Sequence, residues 1–278
     1  MNIFKIIKIS RPIAWPVFLF IVFMGIKFSG AELTFTSIIQ LISFTFPFNF
    51  FAYGINDIFD IKTDRLNPRK KSEVSGAKIT AKDIKQIKII SVVCVLFVLS
   101  ASILTKNIQN IFLTSLLIVA TYFYSAPPVR LKERPPFDSV ANGIGYVFLP
   151  AAIGFSYGNP IFSMPSSAYF VVLCAIAVHA FSTAVDYVSD KKAGIKTFAV
   201  VFGRKKTMLF ALFLMVISAL FANIDSLILN SIIYLAIIAM LLSLFFTDEK
   251  VIRRSFEVLF IYFIAAIIIY FVFYVLKN

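Results

Sequence analysis

Residues 33–64 read LTFTSIIQLISFTFPFNFFAYGINDIFDIKTD, an apolar run that passes directly into a cluster of acidic residues. A helix needs about 20 apolar residues to cross the hydrocarbon core of a bilayer, and residues 33–55 supply that length. Carboxylates are costly beside lipid, so acids that continue such a helix are expected to serve a function. This stretch therefore predicts a membrane-spanning helix that ends in a candidate site.

Apolar runs of similar length recur along the whole chain of 278 residues, 60% of which are hydrophobic, whereas soluble domains are closer to half apolar. We predict an all-α fold, a polytopic transmembrane helical bundle built as a single domain over residues 1–278. The two cysteines, Cys94 and Cys174, lie inside apolar runs, which predicts free buried thiols. Nine transmembrane helices are expected, at residues 12–29, 33–55, 87–105, 108–124, 139–157, 166–185, 207–223, 226–246 and 256–276.

The basic residues predict the topology of these spans. The chain has 27 Lys and Arg, and all but Lys27, Lys106 and Lys277 fall in the N-terminal tail or in the loops after spans 2, 4, 6 and 8. The positive-inside rule then puts the N-terminus in the cytoplasm. Because the charges gather on no single face or tail, we expect the lipid bilayer and no nucleic acid as partner. The expected location is the plasma membrane of a prokaryote, with the site facing the cytoplasm.

The acids after span 2 have the spacing of one helix face. Asn56, Asp60 and Asp64 are each four residues apart, and Asp57 lies seven before Asp64, near the same face. Carboxylates stacked in this way repel each other unless a cation lies between them. Carboxylate and amide oxygens are the protein ligands that Mg²⁺ prefers. The motif therefore predicts a magnesium site.

A second acidic motif, DYVSD at residues 186–190, follows span 6 on the same predicted side of the membrane. Asp186 and Asp190 are again four apart. Basic residues flank both motifs, and the stretch YSAPPVRLK at residues 124–132 adds more positive charge on that side. Acids for a metal and bases for phosphate oxygens together predict a metal–diphosphate site.

Such a site suits the ionisation of an allylic diphosphate, because neutralising the leaving diphosphate stabilises the charge that develops as the bond breaks. The sequence contains no Gly-x-Ser-x-Gly motif, P-loop or zinc-type His cluster, and the reaction requires no nucleophile from the protein. The single His179, in span 6, either lines the site or hydrogen-bonds to another helix. Aromatic residues near the motifs could shield an allylic cation from water: Phe51, Tyr53, Phe59, Tyr122, Tyr124, Tyr146 and Phe181.

The motifs NDIFDIKTD (residues 56–64) and DYVSD (residues 186–190) resemble those of the UbiA superfamily of intramembrane prenyltransferases. Members of that family have nine transmembrane helices and bind a diphosphate through magnesium. The resemblance implies catalytic roles for Asp60, Asp64, Asp186 and Asp190. It implies magnesium ligation by Asn56, Asp57, Asp60, Asp64, Asp186 and Asp190. It implies diphosphate binding by Arg69, Arg130, Lys132, Lys191 and Tyr124.

Three stretches are similar to the carotenoid branch of the family, the lycopene elongases: FPFNFFAYGINDIFDIKTDRLNPRKK, YFYSAPPVRLKERPPFDSVANG and HAFSTAVDYVSDKKAGIKT. Many members with aromatic acceptors carry a further Asp three residues before the second motif, where this chain has Thr183. Val188 stands where that branch is expected to have an acid. The resemblance implies transfer of a prenyl group from an allylic prenyl diphosphate, dimethylallyl diphosphate, to a lipophilic acceptor, an acyclic carotenoid such as lycopene.

Two alternatives follow from the same sequence. The acceptor could be aromatic or a lipid, such as a quinone precursor, haem, a chlorophyllide or a glycerol phosphate ether. A cation transporter would also use acids in a membrane protein, but transporter sites lie near the bilayer midplane, whereas these acids lie at helix ends.

Overall fold

The computed structural model describes residues 1–64, 77, 79–222, 224, 226–246 and 248–277, and within these ranges the chain is helical without any strand. The all-α prediction is therefore confirmed for the described part of the chain. A π-helical turn, Ile144–Phe148, joins the seventh and eighth α-helices. The α-helices are α1 (Ile3–Ile9), α2 (Trp15–Phe28), α3 (Phe35–Ser43), α4 (Phe46–Asp64), α5 (Ile84–Ile103), α6 (Ile108–Ser125), α7 (Phe137–Gly143), α8 (Leu149–Phe155), α9 (Ser166–Val185), α10 (Tyr187–Ala193), α11 (Phe198–Phe202), α12 (Arg204–Phe221), α13 (Leu227–Phe245) and α14 (Glu249–Lys277).

Several helices have the length and apolarity of membrane spans, so the chain is an integral membrane protein. In the described ranges six helical segments qualify, and a seventh does so if α1 and the segment Pro12–Phe28, bent by 41°, count as one span. The predicted spans 139–157 and 207–223 lie on α7–α8 and on α12, which are helical but not among the six. The six are Phe35–Ile61, Ala81–Ile103, Ile108–Ser125, Ser166–Val185, Leu227–Phe245 and Glu249–Phe273.

Close contacts divide the chain into two compact units. The first unit comprises Met1–Leu131 and Leu149–Met164, and it contains the first acidic motif. The second unit comprises Lys132–Phe148 and Pro165–Asn278, and it contains the second motif.

In the first unit, α2 and α8 cross at a pair of reciprocal glycines. A Cβ atom on Gly25 would overlap the backbone of Ala151, and a Cβ atom on Gly154 would overlap the backbone of Val22. Lipid supplies little hydrophobic driving force between helices, so close packing of small residues is what holds such a crossing. The two glycines therefore allow the backbones of α2 and α8 to touch.

A buried polar network joins other helices of the first unit. Gln40 on α3 and Asn110 on α6 exchange two side-chain hydrogen bonds, of 2.8 and 3.1 Å. Asn110 Nδ2 also donates to the backbone carbonyl of Ile153 on α8 at 3.0 Å. Ser102 Oγ on α5 donates to the side-chain oxygen Oδ1 of Asn110 at 2.7 Å. In lipid such groups have no water as an alternative partner, so the network stabilises and orients four helices.

In the second unit, α9 packs on α12, α13 and α14 through small and flexible side chains. Ala177, Ala180 and Ala184 of α9 are fully buried in the same cluster as Met208 and Met215 of α12. Alanine lets the helix backbones approach, and methionine fills the remaining irregular space. This packing fixes α9, the helix that carries the second motif at its end.

Of the two cysteines, Cys94 is buried and Cys174 is half-buried, and both are free thiols. The prediction of free thiols is therefore confirmed.

Gly154→Ala should destabilise the protein, because the added Cβ meets backbone of α2 that cannot move without separating the helices. We expect a loss of about 1–3 kcal/mol, as for other overpacked cores. Thermal unfolding in detergent micelles measures the change. Gly145→Ala is the matched control, since no atom lies within 4 Å of its added Cβ. Equal melting temperatures for the two variants would contradict the close crossing.

Candidate active site

The first motif continues α4 as one unbroken helix that ends at Asp64. Asn56, Asp60 and Asp64 therefore follow one another by about one helical turn, as the spacing predicts. The side chain of Asp64 and the whole of Arg69 lie outside the described residues, so their predicted roles stay predictions.

An arginine from another segment lies beside Asp60. Arg130 Nη2 donates to Asp60 Oδ1 at 3.2 Å, and Arg130 Nη1 donates to the carbonyl of Phe59 at 3.5 Å. Arg130 has a φ of 43°, in the left-handed region that side chains other than glycine rarely adopt. Uncommon backbone of this kind concentrates at ligand and active sites. The structure thus brings together an acid and a base that the sequence assigned to the same site.

Asn56 faces the last turn of α6. Ser125 Oγ donates to Asn56 Oδ1 at 3.0 Å, and Ser125 itself is buried. Tyr124, predicted to contact the diphosphate, is the preceding residue on that turn. The end of α6 therefore lies against the motif.

Asp57 has a different neighbour, Arg11 from the segment between α1 and α2. Arg11 Nη2 donates to Asp57 Oδ1 at 3.0 Å, and the Asp57 side chain is only 2% exposed. The Arg11 guanidinium also lies over the ring of Tyr53, 4.1 Å from its centroid. Like Arg130, Arg11 has a positive φ, here 50°. Asp57 thus has a structural role as an anchor for the N-terminal segment, in addition to its predicted magnesium ligation.

The second motif spans the junction of α9 and α10. Asp186 caps the end of α9, and the N–H of Asp190 donates to its carbonyl at 2.9 Å, so the two acids lie about one turn apart. Asp190 is buried, and its own carbonyl accepts from Ile195 N–H at 3.0 Å. Gly194 allows this turn because its φ is +72°. The chain therefore turns back directly after the motif.

Tyr187, between the two acids, is surrounded by basic groups. Lys191 Nζ donates to the Tyr187 hydroxyl at 3.5 Å. The guanidinium of Arg204, the first residue of α12, lies 5.2 Å from the centre of the same ring. In the sequence, Arg204 is one of the basic residues in the loop after span 6 and predicts only the topology. The glycine before it, Gly203, separates α11 from α12 and has a φ of +88°, so this glycine was the sequence signal for the junction at which Arg204 lies.

Thr183, three residues before the second motif, joins two helices. Its hydroxyl donates to the carbonyl of Ala180 at 2.8 Å and accepts from the N–H of Ala199 on α11 at 3.3 Å. The residue is buried. Thr183 therefore supports the turn after the motif.

His179 and Asp138 are polar residues that also have structural partners. His179 Nδ1 lies 3.0 Å from Ser139 Oγ, so the histidine hydrogen-bonds to another helix, one of its two predicted roles. Asp138, for which the sequence pattern predicts no role, accepts from the N–H of Phe198 and of Ser139, both at 2.7 Å. Burial raises the pKa of the Asp138 carboxyl, although those two hydrogen bonds act in the opposite direction.

Two of the remaining predicted residues differ in their surroundings. Lys132 lies on the short 3₁₀ turn Leu131–Glu133. Phe181 is fully buried and packs edge-on against Phe256, with ring centres 5.8 Å apart. Phe181 is thus a core residue of the second unit, which favours packing over site lining for this member of the aromatic set.

The donor chemistry fits a hard divalent cation. No three His, Cys, Asp or Glu side chains gather as a metal cage in the described ranges. Each motif instead offers two oxygen-bearing side chains one turn apart, Asn56 with Asp60 and Asp186 with Asp190. Mg²⁺ is usually bound in that way, by one or two carboxylates with waters and phosphate oxygens completing the shell. The residues therefore suit magnesium bound together with a phosphorylated ligand.

Known proteins resemble this chain in sequence and in fold. The lycopene elongase/hydratase of Halobacterium salinarum is 32% identical over 225 residues, which cover 78% of this chain and 78% of that protein. The lycopene elongase/hydratase of Haloarcula japonica is 28% identical over 222 residues, covering 78% and 74%. A UbiA homolog from Archaeoglobus fulgidus bound to GPP and Mg²⁺ has the same fold, with a TM-score of 0.68 at 22% identity over 95% of this chain and 98% of that one.

A sequence model of the UbiA prenyltransferase family matches residues 14–267, almost the whole chain. With the paired acidic motifs at helix ends and the 32% identical relative, this match identifies the protein as a transferase of prenyl groups: the chain belongs to the UbiA prenyltransferase family.

Proposed function

We propose that the chain transfers the dimethylallyl group of dimethylallyl diphosphate to the end of an acyclic carotenoid such as lycopene. The observation that carries the proposal is the arrangement at the first motif, where Asn56 and Asp60 offer oxygen ligands and the Arg130 guanidinium lies beside Asp60 at 3.2 Å. This arrangement combines a metal ligand with a phosphate-binding cation, which is the combination that a magnesium diphosphate requires.

Magnesium is the proposed cofactor. Asn56, Asp60 and Asp64 of the first motif, with Asp57 as a further member of that motif, would hold one ion. Asp186 and Asp190 of the second motif would hold another. When bound, Mg²⁺ neutralises the diphosphate and so makes it a better leaving group.

The protein's own residues then bind the leaving group and protect the reaction. Arg69, Arg130, Lys132, Lys191 and Tyr124 would bind diphosphate oxygens and stabilise the negative charge that grows there as the carbon–oxygen bond breaks. The carbon–carbon double bond of the acceptor attacks the allylic cation and forms the new carbon–carbon bond. The resulting tertiary cation loses a proton to give an alkene, or takes up water and loses a proton to give an alcohol.

The carotenoid acceptor is supported by the relatives and by Thr183. Two similar proteins are lycopene elongase/hydratases. At the position where many aromatic-acceptor members carry Asp, this chain has a buried Thr that is occupied with two hydrogen bonds inside the protein. A residue so placed supports the fold and leaves no third carboxylate for an aromatic acceptor.

The topology belongs to the same proposal. We infer a single domain over residues 1–278 with nine spans, a cytoplasmic N-terminus and an active site that faces the cytoplasm from the plasma membrane of a prokaryote. The distribution of the basic residues supports this orientation. A site at the cytoplasmic ends of the helices would meet the water-soluble diphosphate on one side and the lipid-soluble acceptor on the other.

Expression in a lycopene-accumulating bacterium should yield carotenoids heavier by one or two five-carbon units. Asp60→Asn should lower their formation by about 100-fold or more, since it removes a metal ligand and the partner of Arg130. Liquid chromatography with mass spectrometry measures the pigments. Glu249→Gln is the matched control, because it makes the same acid-to-amide change on α14 at a residue whose side chain is 43% exposed.

Unchanged lycopene in cells that contain the protein in their membranes would contradict the carotenoid acceptor. An aromatic or lipid acceptor would then be sought with the same donor. Full activity of Asp60→Asn would contradict the assignment of the first motif.

Turnover by the purified chain should stop when a chelator removes divalent cations and should return on addition of Mg²⁺. Asp186→Asn should raise the Mg²⁺ concentration needed for half-maximal activity by at least about tenfold, because even outer-shell changes have effects of that size. Release of diphosphate in detergent micelles provides the assay. An unchanged magnesium dependence would remove Asp186 from the ligand set.

The Arg11–Asp57 pair should contribute to stability because both charged groups are largely withdrawn from water. Asp57→Asn should cost about 2–4 kcal/mol, since it removes the negative charge that the largely buried Arg11 guanidinium contacts. Arg11→Gln combined with Asp57→Asn should cost less than the sum of the two single changes. Thermal unfolding of the parent chain, the two single variants and the double variant gives the coupling free energy between Arg11 and Asp57.

For comparison, Glu249→Gln breaks the exposed ion pair with Arg253 and should cost on the order of 0.5 kcal/mol or less. Additive effects of the Arg11 and Asp57 changes would contradict the structural pair. If Asp57 also binds magnesium, Asp57→Asn will need more Mg²⁺ for activity, which a purely structural role would not produce.

A further inference from the structure

Arg204 lies beside the second acidic motif although it is 14 residues beyond its last acid. It is the first residue of α12 and directly follows Gly203, where φ is +88°. Its guanidinium carbon lies 5.2 Å from the centre of the Tyr187 ring. Tyr187 directly follows Asp186, so Arg204 belongs to the same local structure as the motif.

A second cation lies at the same ring. Lys191 Nζ is 5.6 Å from the Tyr187 centroid and donates to its hydroxyl at 3.5 Å. The face of an aromatic ring attracts a cation but accepts no strong hydrogen bond from it. Two cations that share one ring also repel each other. An anion between them would relieve that repulsion.

The hydrogen bonding of Arg204 also indicates a bound anion. Its Nε and Nη2 atoms are buried, yet neither has a hydrogen-bond acceptor in the described part of the chain. Buried guanidinium N–H groups without an acceptor are expensive, and native proteins usually supply one from a ligand or an ordered water. The next two residues, Lys205 and Lys206, are exposed and meet bulk water instead. Arg204 is therefore distinct from the basic residues around it.

We infer that Arg204, held on the Tyr187 ring, is a further anion-binding residue that donates from Nε and Nη2 to phosphate oxygens of the donor diphosphate. The planar guanidinium suits two parallel hydrogen bonds to a phosphate group, which an ammonium group cannot make. Tyr187 positions the arginine, and Lys191 adds charge from α10. The inference rests on the proposed function and names a binding residue outside both acidic motifs.

The test is the affinity of the full chain, purified in detergent micelles, for inorganic diphosphate in the presence of Mg²⁺. Isothermal titration calorimetry should show that Arg204→Gln raises the dissociation constant by about tenfold, the effect of losing one charge-assisted interaction. Lys205→Gln removes the same charge from the neighbouring residue and should change it less than about twofold. Tyr187→Leu should also lower the affinity, because it removes the ring that positions Arg204.

Anionic lipid headgroups carry the same phosphate chemistry, so a second measurement separates the two sources. The second measurement is the thermal unfolding temperature in vesicles that contain phosphatidylglycerol. If these vesicles stabilise the parent chain but not Arg204→Gln, while the two chains bind diphosphate equally well, the anion at Arg204 is a lipid headgroup. If Arg204→Gln matches the parent in both measurements, or if Lys205→Gln weakens diphosphate binding equally, the inference is overturned. Arg204→Lys, which keeps the charge but not the planar group, should bind with intermediate affinity and serves if Arg204→Gln does not fold.

Binding is measured without turnover, so the inference and the proposed function can fail separately. A parent chain that binds magnesium diphosphate through Arg204 but transfers no prenyl group would refute the function and leave the binding residue. A parent that elongates lycopene with unchanged donor affinity in Arg204→Gln would refute the binding residue alone.

Discussion

Carboxylates at the end of an apolar helix need positive charge beside them, and the first motif obtains it from two arginines far away in sequence. Arg130 binds Asp60 and Arg11 binds Asp57, at 3.2 and 3.0 Å. Both arginines have backbone in the left-handed region, a conformation that costs free energy and is held only by surrounding structure. The segments after α6 and before α2 are thus shaped to deliver these charges to α4.

The rest of the first unit keeps those segments in place. The glycine crossing of α2 on α8 locates the helix that follows Arg11, and the amide network of Gln40 and Asn110 locates α6, whose last turn leads towards Arg130. Neither feature touches the acids. Each fixes one of the two chain segments that supply charge to them, so helix packing in the membrane determines the electrostatics of the site.

Much of this could be predicted from the sequence, because apolar length and four-residue spacing are local properties. The helices, the continuation of α4 through its acids and the shared face of Asn56 and Asp60 all follow from such patterns. The basic partners of the acids could not be predicted from such local patterns. Arg11 is 46 residues from Asp57, and its positive charge fits the topology rule equally well without any pairing.

Two other features were hidden for similar reasons. The span predicted at residues 139–157 contains a π-helical turn between α7 and α8, which hydropathy cannot register because it averages over about 19 residues. Arg204 stood among lysines of the same charge, and only its placement on Tyr187 separates it from them. Local composition thus predicts helices well, whereas the pairing of side chains across the chain depends on three-dimensional packing.

The hydrogen bonds of Thr183 have a consequence for any substitution at this position. The position that distinguishes many aromatic-acceptor members from this chain is here also a joint between α9 and α11, because the Thr183 hydroxyl receives the N–H of Ala199. Exchange of this residue would alter the local architecture and the chemistry of the site in one step. A substitution at Thr183 that removes the hydroxyl would therefore also leave the N–H of Ala199, at the start of α11, in need of a new acceptor.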